Sequence, residues 1–88
     1  MTGMTGGLSA EQVRGTEFSK AALGSRGYHR KSVDDFLALV ARRLDGRGHL
    51  AAADVRGIAF PKSPLLQRGY ATDEVDALVD AVVATLES

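Results

Sequence analysis

The chain has 88 residues, 44% of them hydrophobic and 25% charged, and this length allows one small hydrophobic core. It has no cysteine and only two histidines, so disulfide scaffolds and thiolate metal sites are excluded, and we expect no metal and no cofactor. The eleven basic and eleven acidic side chains cancel, and without a basic excess we expect no nucleic acid partner.

The amino-terminal segment, residues 1–7, consists of methionine, threonine and glycine. It lacks the charged and apolar regions of a secretory signal, and we expect a flexible tail. No apolar run in the chain approaches the roughly 18 residues that a membrane span requires. These features predict a cytoplasmic protein, in which any membrane association is peripheral and at the inner face of the cell membrane.

The rest of the chain contains the same unit twice. Residues 8–46 (repeat 1) align without a gap on residues 50–88 (repeat 2), and 15 of the 39 aligned positions are identical. A shuffled sequence would give about 3 identities. Residues 47–49 form the linker. Because one repeat is too short to bury much core alone, we expect the two repeats to pack together as one domain.

Each repeat predicts a short helix, a long loop and a longer amphipathic helix. In repeat 1, Ser9 and Gln12 form a capping box, which predicts a helix from Ala10 to about Glu17. Repeat 2 has Ala51 at the first of these positions and lacks that side-chain acceptor. Apolar residues at helical spacing predict the longer helices, the first from about residue 30, and a shared buried seam. The seam consists of Val33, Phe36, Leu37, Val40, Leu44, Val75, Leu78, Val79, Val82 and Leu86.

The predicted fold class is all-α, with the tandem helix-loop-helix repeats forming an up-down-up-down four-helix bundle that is pseudo-twofold symmetric. The short linker favours antiparallel neighbours. This arrangement places the long loops, residues 18–29 and 60–71, at one end of the bundle and the linker at the other. Four aromatic residues are predicted to plug the loop end, with each tyrosine hydroxyl bonded to the backbone: Phe18, Tyr28, Phe60 and Tyr70.

Both repeats contain Val-Arg-x-x-x-Phe, a loop ending in Arg-Gly-Tyr, and then Val-Asp in the second helix. This pattern resembles the amino-terminal domain of the bacterial DivIVA family over nearly the whole chain. The resemblance implies a non-enzymatic role in cell division or polar growth of Gram-positive bacteria, with an anionic membrane surface or a coiled-coil division protein as partner. It also implies an exposed apolar residue and an arginine at the loop tip. Some relatives have phenylalanine before Arg-Gly-Tyr, where this chain has Ser25 and Gln67 and offers leucines nearby.

The two loops therefore contain the candidate membrane-binding or partner-binding residues. Residues 18–32 and 60–72 hold six cations, three leucines and no acid: Lys20, Leu23, Arg26, Arg30, Lys31, Lys62, Leu65, Leu66 and Arg68. Each cation contributes about 1 kcal/mol near an anionic surface, and each leucine removed from water roughly 1.5 to 3 kcal/mol. In the structural alternative, the two arginines before Gly-Tyr pair with Asp34, Asp35, Asp76 or a carbonyl, while Leu23 and Leu65 close the bundle end.

The sequence contains no recognisable catalytic constellation. Neither His29 nor His49 has a serine and a carboxylate at motif spacing. Asp34 and Asp35 are interpreted as first-turn partners of the helix dipole. The alternative function is a soluble adaptor that binds a helical or coiled-coil partner without lipid contact. A monomer and a domain-swapped homodimer are both compatible with the repeat.

Overall fold

The computed structural model describes residues 7–87, which contain four helices and no strand. They are α1 (Ala10–Arg14), α2 (Arg30–Leu44), α3 (Ala52–Arg56) and α4 (Thr72–Glu87). The expected all-α class is confirmed for this part of the chain. The predicted tail lies outside the described residues except for Gly7. We call residues 15–29, between α1 and α2, loop L1, and residues 57–71, between α3 and α4, loop L2.

The first helix begins where its capping box predicts but ends three residues earlier than expected. The Gln12 N–H donates to Ser9 Oγ over 3.1 Å, and the Ser9 N–H donates to Gln12 Oε1 over 2.8 Å. Gly15 occupies the C-cap and its N–H donates to Glu11 O. Because glycine is a poor helix former, the helix stops there and does not extend to Glu17.

The third helix has the same length although its cap differs. Ala51 offers no side-chain acceptor, as the sequence requires. The other half of the box survives, because the Asp54 carboxylate accepts from the Ala51 N–H over 3.0 Å. The single bond from the Ala51 N–H to the Asp54 side chain is thus sufficient for a helix of this length in its packed setting.

The second helix begins at Arg30, as predicted, and ends in a glycine-dependent turn. Gly46 has φ +81°, and the Arg47 N–H reaches back to Arg42 O over 2.9 Å. A left-handed residue after the last turn, with a bond back across it, is how helices commonly end. This turn directs the linker back along α2 toward α3.

The two short helices pack on the two long ones, α1 on α2 and α3 on α4. One cluster of buried side chains draws on all four helices: Ala10, Val13, Phe36, Val40, Ala41, Val55 and Val82. Five of the ten predicted seam residues are buried, namely Val33, Phe36, Val40, Val75 and Val82. The other five are half-buried against the cluster. The two halves of the chain therefore share one core.

Backbone hydrogen bonds join L1 to L2 in matched pairs. Tyr28 and Tyr70 exchange N–H donors and carbonyl acceptors, both over 3.1 Å. The Ala21 N–H donates to Gly69 O over 2.8 Å. The equivalent bond with the two repeats exchanged runs from the Ser63 N–H to Gly27 O over 3.0 Å. The loops are thus held together at equivalent positions of the two repeats.

Ion pairs repeat the same spacing at the carboxyl ends of the long helices. Arg14 in α1 pairs with Asp45, which follows α2. Arg56 in α3 pairs with Glu87 at the end of α4. The hydrogen bond from Arg14 is the main reason why the pKa of Asp45 is lowered. Each short helix is therefore fastened to its long partner by one arginine and one carboxylate.

Candidate functional site

The turns of the two loops lie side by side at one place on the molecule. Each turn, residues 22–25 and 64–67, is closed by one backbone hydrogen bond of 3.0 Å. Both loops line one open cavity of about 240 Å³. We call the two turns, together with Arg26 and Arg68, the tip. The structure thus brings together candidate residues that lie about half a chain apart in the sequence.

Three leucines at the tip are almost entirely in water. Leu23 is 85% exposed, Leu65 is 82% exposed and Leu66 is fully exposed. They do not close the end of a bundle, so that structural alternative is wrong for both Leu23 and Leu65. Water-exposed leucines that cluster at a turn are available for contact with an apolar surface.

The two tip arginines bind carbonyl groups of the opposite loop. Arg26 Nε donates to Ser63 O over 2.8 Å. Arg68 Nε and Nη2 both donate to Ala21 O, over 3.0 and 2.7 Å. Of the predicted structural partners, the carbonyl is therefore confirmed. Because a carbonyl does not neutralise a guanidinium, and most of its five N–H donors stay unused, each arginine keeps its charge at the tip.

The remaining candidate cations differ in what they contact. Lys31 forms an ion pair with Asp35 over 3.3 Å, so its charge is largely balanced on α2. The Arg30 guanidinium lies 5.9 Å from the centre of the Tyr70 ring, and Lys62 Nζ lies 4.9 Å from that of Tyr28. Within residues 7–87, five of the six candidate cations make no ion pair: Lys20, Arg26, Arg30, Lys62 and Arg68.

Carboxylates lie closer to the loops than the sequence indicated. The Tyr28 hydroxyl donates to Asp76 Oδ1 and the Tyr70 hydroxyl donates to Asp34 Oδ1, each over 2.8 Å. The Ser19 N–H donates to Glu74 Oε1 over 2.8 Å. The expectation that the tyrosine hydroxyls bind backbone is therefore wrong. Asp34 binds a tyrosine from the other repeat. Because α2 begins at Arg30, its first turn contains neither Asp34 nor Asp35, and the interpretation of both as first-turn partners of the helix dipole is wrong.

These bonds alter the acidity of both tyrosines. The hydrogen bond with Asp76 is the main cause that raises the pKa of Tyr28, with burial and the charge of that carboxylate adding to it. Burial is the main cause that raises the pKa of Tyr70, and the bond with Asp34 adds to it. The nearby Arg30 charge opposes the rise at Tyr70. Both hydroxyls are therefore held in the protonated, donating form.

Two glycines let the loop backbones approach each other. Gly27 has φ +70°, and a Cβ there would lie 2.7 Å from both Ala21 Cβ and Tyr70 O. Gly69 has an ordinary φ, but its Cβ would lie 2.2 Å from Tyr28 O. The restriction of these positions to glycine thus has two physical causes, a left-handed backbone at Gly27 and close approach of the loops at both.

Sequence reasoning missed the tyrosine–carboxylate pairs. The available signal was the identity of Tyr28 with Tyr70 and of Asp34 with Asp76 in the aligned repeats. Within residues 7–87, no group of three potential ligand side chains is arranged to hold a metal ion. No helix in the described part of the chain combines the length and hydropathy needed to cross a membrane.

Comparisons with protein-family models, with curated proteins and with solved structures each find no match. Within the described residues, the tip combines exposed leucines with two arginines that make no ion pair.

Proposed function

We propose that this chain is a non-enzymatic, membrane-surface-binding module of the DivIVA type, acting in bacterial cell division or polar growth. In this proposal the two tandem repeats form an up-down-up-down bundle whose pseudo-twofold axis passes between Tyr28 and Tyr70. One chain then supplies the paired loops for which the family uses two chains. The matched hydrogen bonds between L1 and L2 support this arrangement.

The observation that carries the proposal is the exposure of the three tip leucines. Apolar side chains that are 82% to 100% exposed gain free energy when they enter a lipid interface, roughly 1.5 to 3 kcal/mol for each leucine. The cations without ion pairs add about 1 kcal/mol each beside an anionic surface. Because both loops are joined by hydrogen bonds, they meet the surface together, and the second loop adds to the binding of the first.

The test is sedimentation with vesicles of phosphatidylcholine alone or mixed with phosphatidylglycerol, at low and at high salt. We expect the chain to pellet with the anionic vesicles at low salt, and less at high salt because salt screens surface charge. The triple variant Leu23→Ser, Leu65→Ser, Leu66→Ser is expected to stay in the supernatant. If the wild-type chain does not pellet with anionic vesicles at low salt, the membrane proposal is wrong.

The matched control is Leu39→Ser. Leu39 is also an exposed leucine, at 52%, but it lies near the carboxyl half of α2 and lines a cavity with the linker. We expect this variant to pellet like the wild-type chain. Equal losses in Leu39→Ser and the triple variant would show general hydrophobic adsorption in place of binding through the tip.

A second candidate function has one observation in its favour. An open groove of about 400 Å³ runs between α1 and α2, lined by Val13, Leu37, Ala38 and Ala41 together with charged residues. An apolar groove with a charged rim suits an amphipathic helix, which agrees with a soluble adaptor that binds a helical or coiled-coil partner. In the vesicle assay, an adaptor of this kind remains in the supernatant under all conditions.

A further inference from the structure

A basic groove adjoins the tip on one side of the molecule. Lys20, Arg30, Leu66, Gln67 and Arg68 line an open cavity of about 340 Å³. Gln67 and Arg68 also line the tip cavity, so the two cavities share a wall. Three of the five lining residues are cations and none is acidic. We call these five residues the basic groove.

The repeat provides an internal comparison for this groove. The positions equivalent to Lys20 and Arg68 also carry cations, Lys62 and Arg26. The position equivalent to Arg30 is Thr72, and those equivalent to Leu66 and Gln67 are glycine and serine. Arg30 and Leu66 therefore have no counterpart of the same kind at the equivalent positions, although the two loops are otherwise similar.

Helix stability does not explain the third cation. Arg30 is the first residue of α2, and a positive charge at a helix amino terminus opposes the helix dipole. The first turn of α2 contains no acid, and its N-cap makes no side-chain hydrogen bond to the backbone. By contrast, the first turn of α4 contains Asp73 and Glu74, which favour a helix start. Repeat 1 therefore retains an unfavourable charge at the place where it completes the groove.

Contacts within the molecule hold two of the three cations in position. Arg68 is held by its two hydrogen bonds to Ala21 O, and Arg30 lies over the Tyr70 ring. Guanidinium groups bind phosphate oxygens in paired geometry, and groups already in position lose less freedom on binding. Lys20 adds a third positive charge to the groove. This arrangement suits a compact oxyanion with two negative charges.

We propose that the basic groove binds a phosphomonoester dianion. This inference rests on the proposed function, because a membrane would supply the phosphomonoester as a lipid headgroup beside the three tip leucines. Leu66 is fully exposed and lines the basic groove beside Gln67 and Arg68, so it places an apolar contact next to the phosphate site. A free phosphomonoester has the same chemistry, and the experiment separates the two sources.

The first arm compares vesicles that contain phosphatidic acid, a phosphomonoester, with vesicles that contain phosphatidylglycerol, a phosphodiester. The two compositions are adjusted to equal surface potential. We expect binding to phosphatidic acid to be about fivefold tighter, and Arg30→Gln to remove that preference, as loss of one well-placed cation would. Arg42→Gln removes an arginine of the same helix that lines neither the groove nor the tip cavity, and it is expected to keep the preference. Equal binding to both lipids, or equal losses in the two variants, overturns the inference and leaves the proposed function standing.

The second arm uses inorganic phosphate and nuclear magnetic resonance of the full chain. We expect shifts confined to the backbone amides at and beside Lys20, Arg30 and Arg68, and absent in Arg30→Gln. Thermal melting of that variant should match or exceed the wild type, because a cation leaves a helix amino terminus. If no anionic vesicle is bound but these shifts occur, the proposed function fails and the groove takes a soluble phosphomonoester. No localised shifts would overturn the groove itself.

Discussion

At the scale of single residues, the approach of the two loops depends on Gly27 and Gly69. We expect Gly27→Ala and Gly69→Ala each to lower the free energy of unfolding by more than about 2 kcal/mol, because backbone must move to admit a Cβ. The loss is greatest for Gly69→Ala, whose Cβ would lie 2.2 Å from Tyr28 O. That carbonyl cannot rotate away without losing its hydrogen bond from the Tyr70 N–H. Urea unfolding followed by circular dichroism measures both.

Two other glycines serve as controls for that prediction. Gly57→Ala introduces a Cβ whose nearest neighbour is 3.8 Å away, and we expect a change within about 0.5 kcal/mol. Gly24→Ala meets no atom within 4 Å but has φ +86°, so it should cost only the left-handed strain of roughly 1 to 2 kcal/mol. If all four variants unfold at the same urea concentration, close approach of the loops is not what selects glycine.

The two tyrosines make stability depend on alkaline pH. Tyr28 and Tyr70 have pKa values raised above 10.0, so the folded chain keeps their protons where the unfolded chain loses them. Their contribution is complete below pH 10.0 and is lost as the pH rises through the raised folded values. Urea unfolding from about pH 8 to about pH 11 should show this loss. The double variant Tyr28→Phe, Tyr70→Phe is less stable at neutral pH but should lose less on further alkalinisation. Parallel curves for the two proteins would contradict the assignment.

At the scale of helices, the most deeply buried seam residues include equivalent positions of the two long helices. Val40 and Val82 occupy equivalent positions of α2 and α4, and at most 1% of either residue is exposed. We expect Val40→Ala and Val82→Ala to lower the free energy of unfolding by similar amounts, about 1 to 3 kcal/mol, through lost contacts and residual cavity. Leu39→Ala, at a half-exposed position, should cost about 0.5 kcal/mol or less. Guanidinium titration of the three variants checks this, and an unequal effect of the two valines would argue against equivalent packing of the repeats.

The helices illustrate what local pattern predicts and where it stops. The apolar spacing predicts a start of α2 at about residue 30, and the helix begins at Arg30, because this signal is local. The end of α1 was missed because Thr16 and Glu17 are acceptable helix residues, although Gly15 gives a local stop signal. Beyond the helix, Phe18 packs against Tyr70, with 5.2 Å between the ring centres. That contact comes from the other repeat, and no local signal predicts it.

The candidate site shows the same limit. The cations were predicted as a set because residues 18–32 and 60–72 lack acids, and the leucines because the family resemblance implies an exposed apolar residue at the loop tip. The hydrogen-bond partners of the loop side chains could not be predicted, because the bonds span long separations in the sequence. Arg68 binds Ala21 O across 47 residues, and Tyr28 binds Asp76 across 48 residues. Several carboxylates and carbonyls were equally eligible, and only the folded register of the two loops selects among them.

At the scale of the whole molecule, the linker decides whether one chain can complete its own core. Arg43 Nε donates to Leu50 O over 3.0 Å, so the chain re-enters beside the end of α2 within a few residues. Gly48 lies against the backbone of Arg43, where a Cβ would be 3.1 Å from its nitrogen. The connection is therefore tight but complete, and α3 and α4 can fold back onto the helices that precede them.

We expect the wild-type chain to be a monomer of 9.3 kDa in light scattering coupled to size-exclusion chromatography. Deletion of residues 47–49 should make this return impossible within one chain, while every contact between repeats could still form between two chains. The deleted chain is then expected to be a domain-swapped dimer of twice that mass, with helical content retained in circular dichroism. Inserting Gly-Ser-Gly at the same place should preserve the monomer, since lengthening a loop costs little. A folded monomer after the deletion would show that the linker does not limit pairing of the repeats, and a wild-type dimer would show that two chains already exchange their halves.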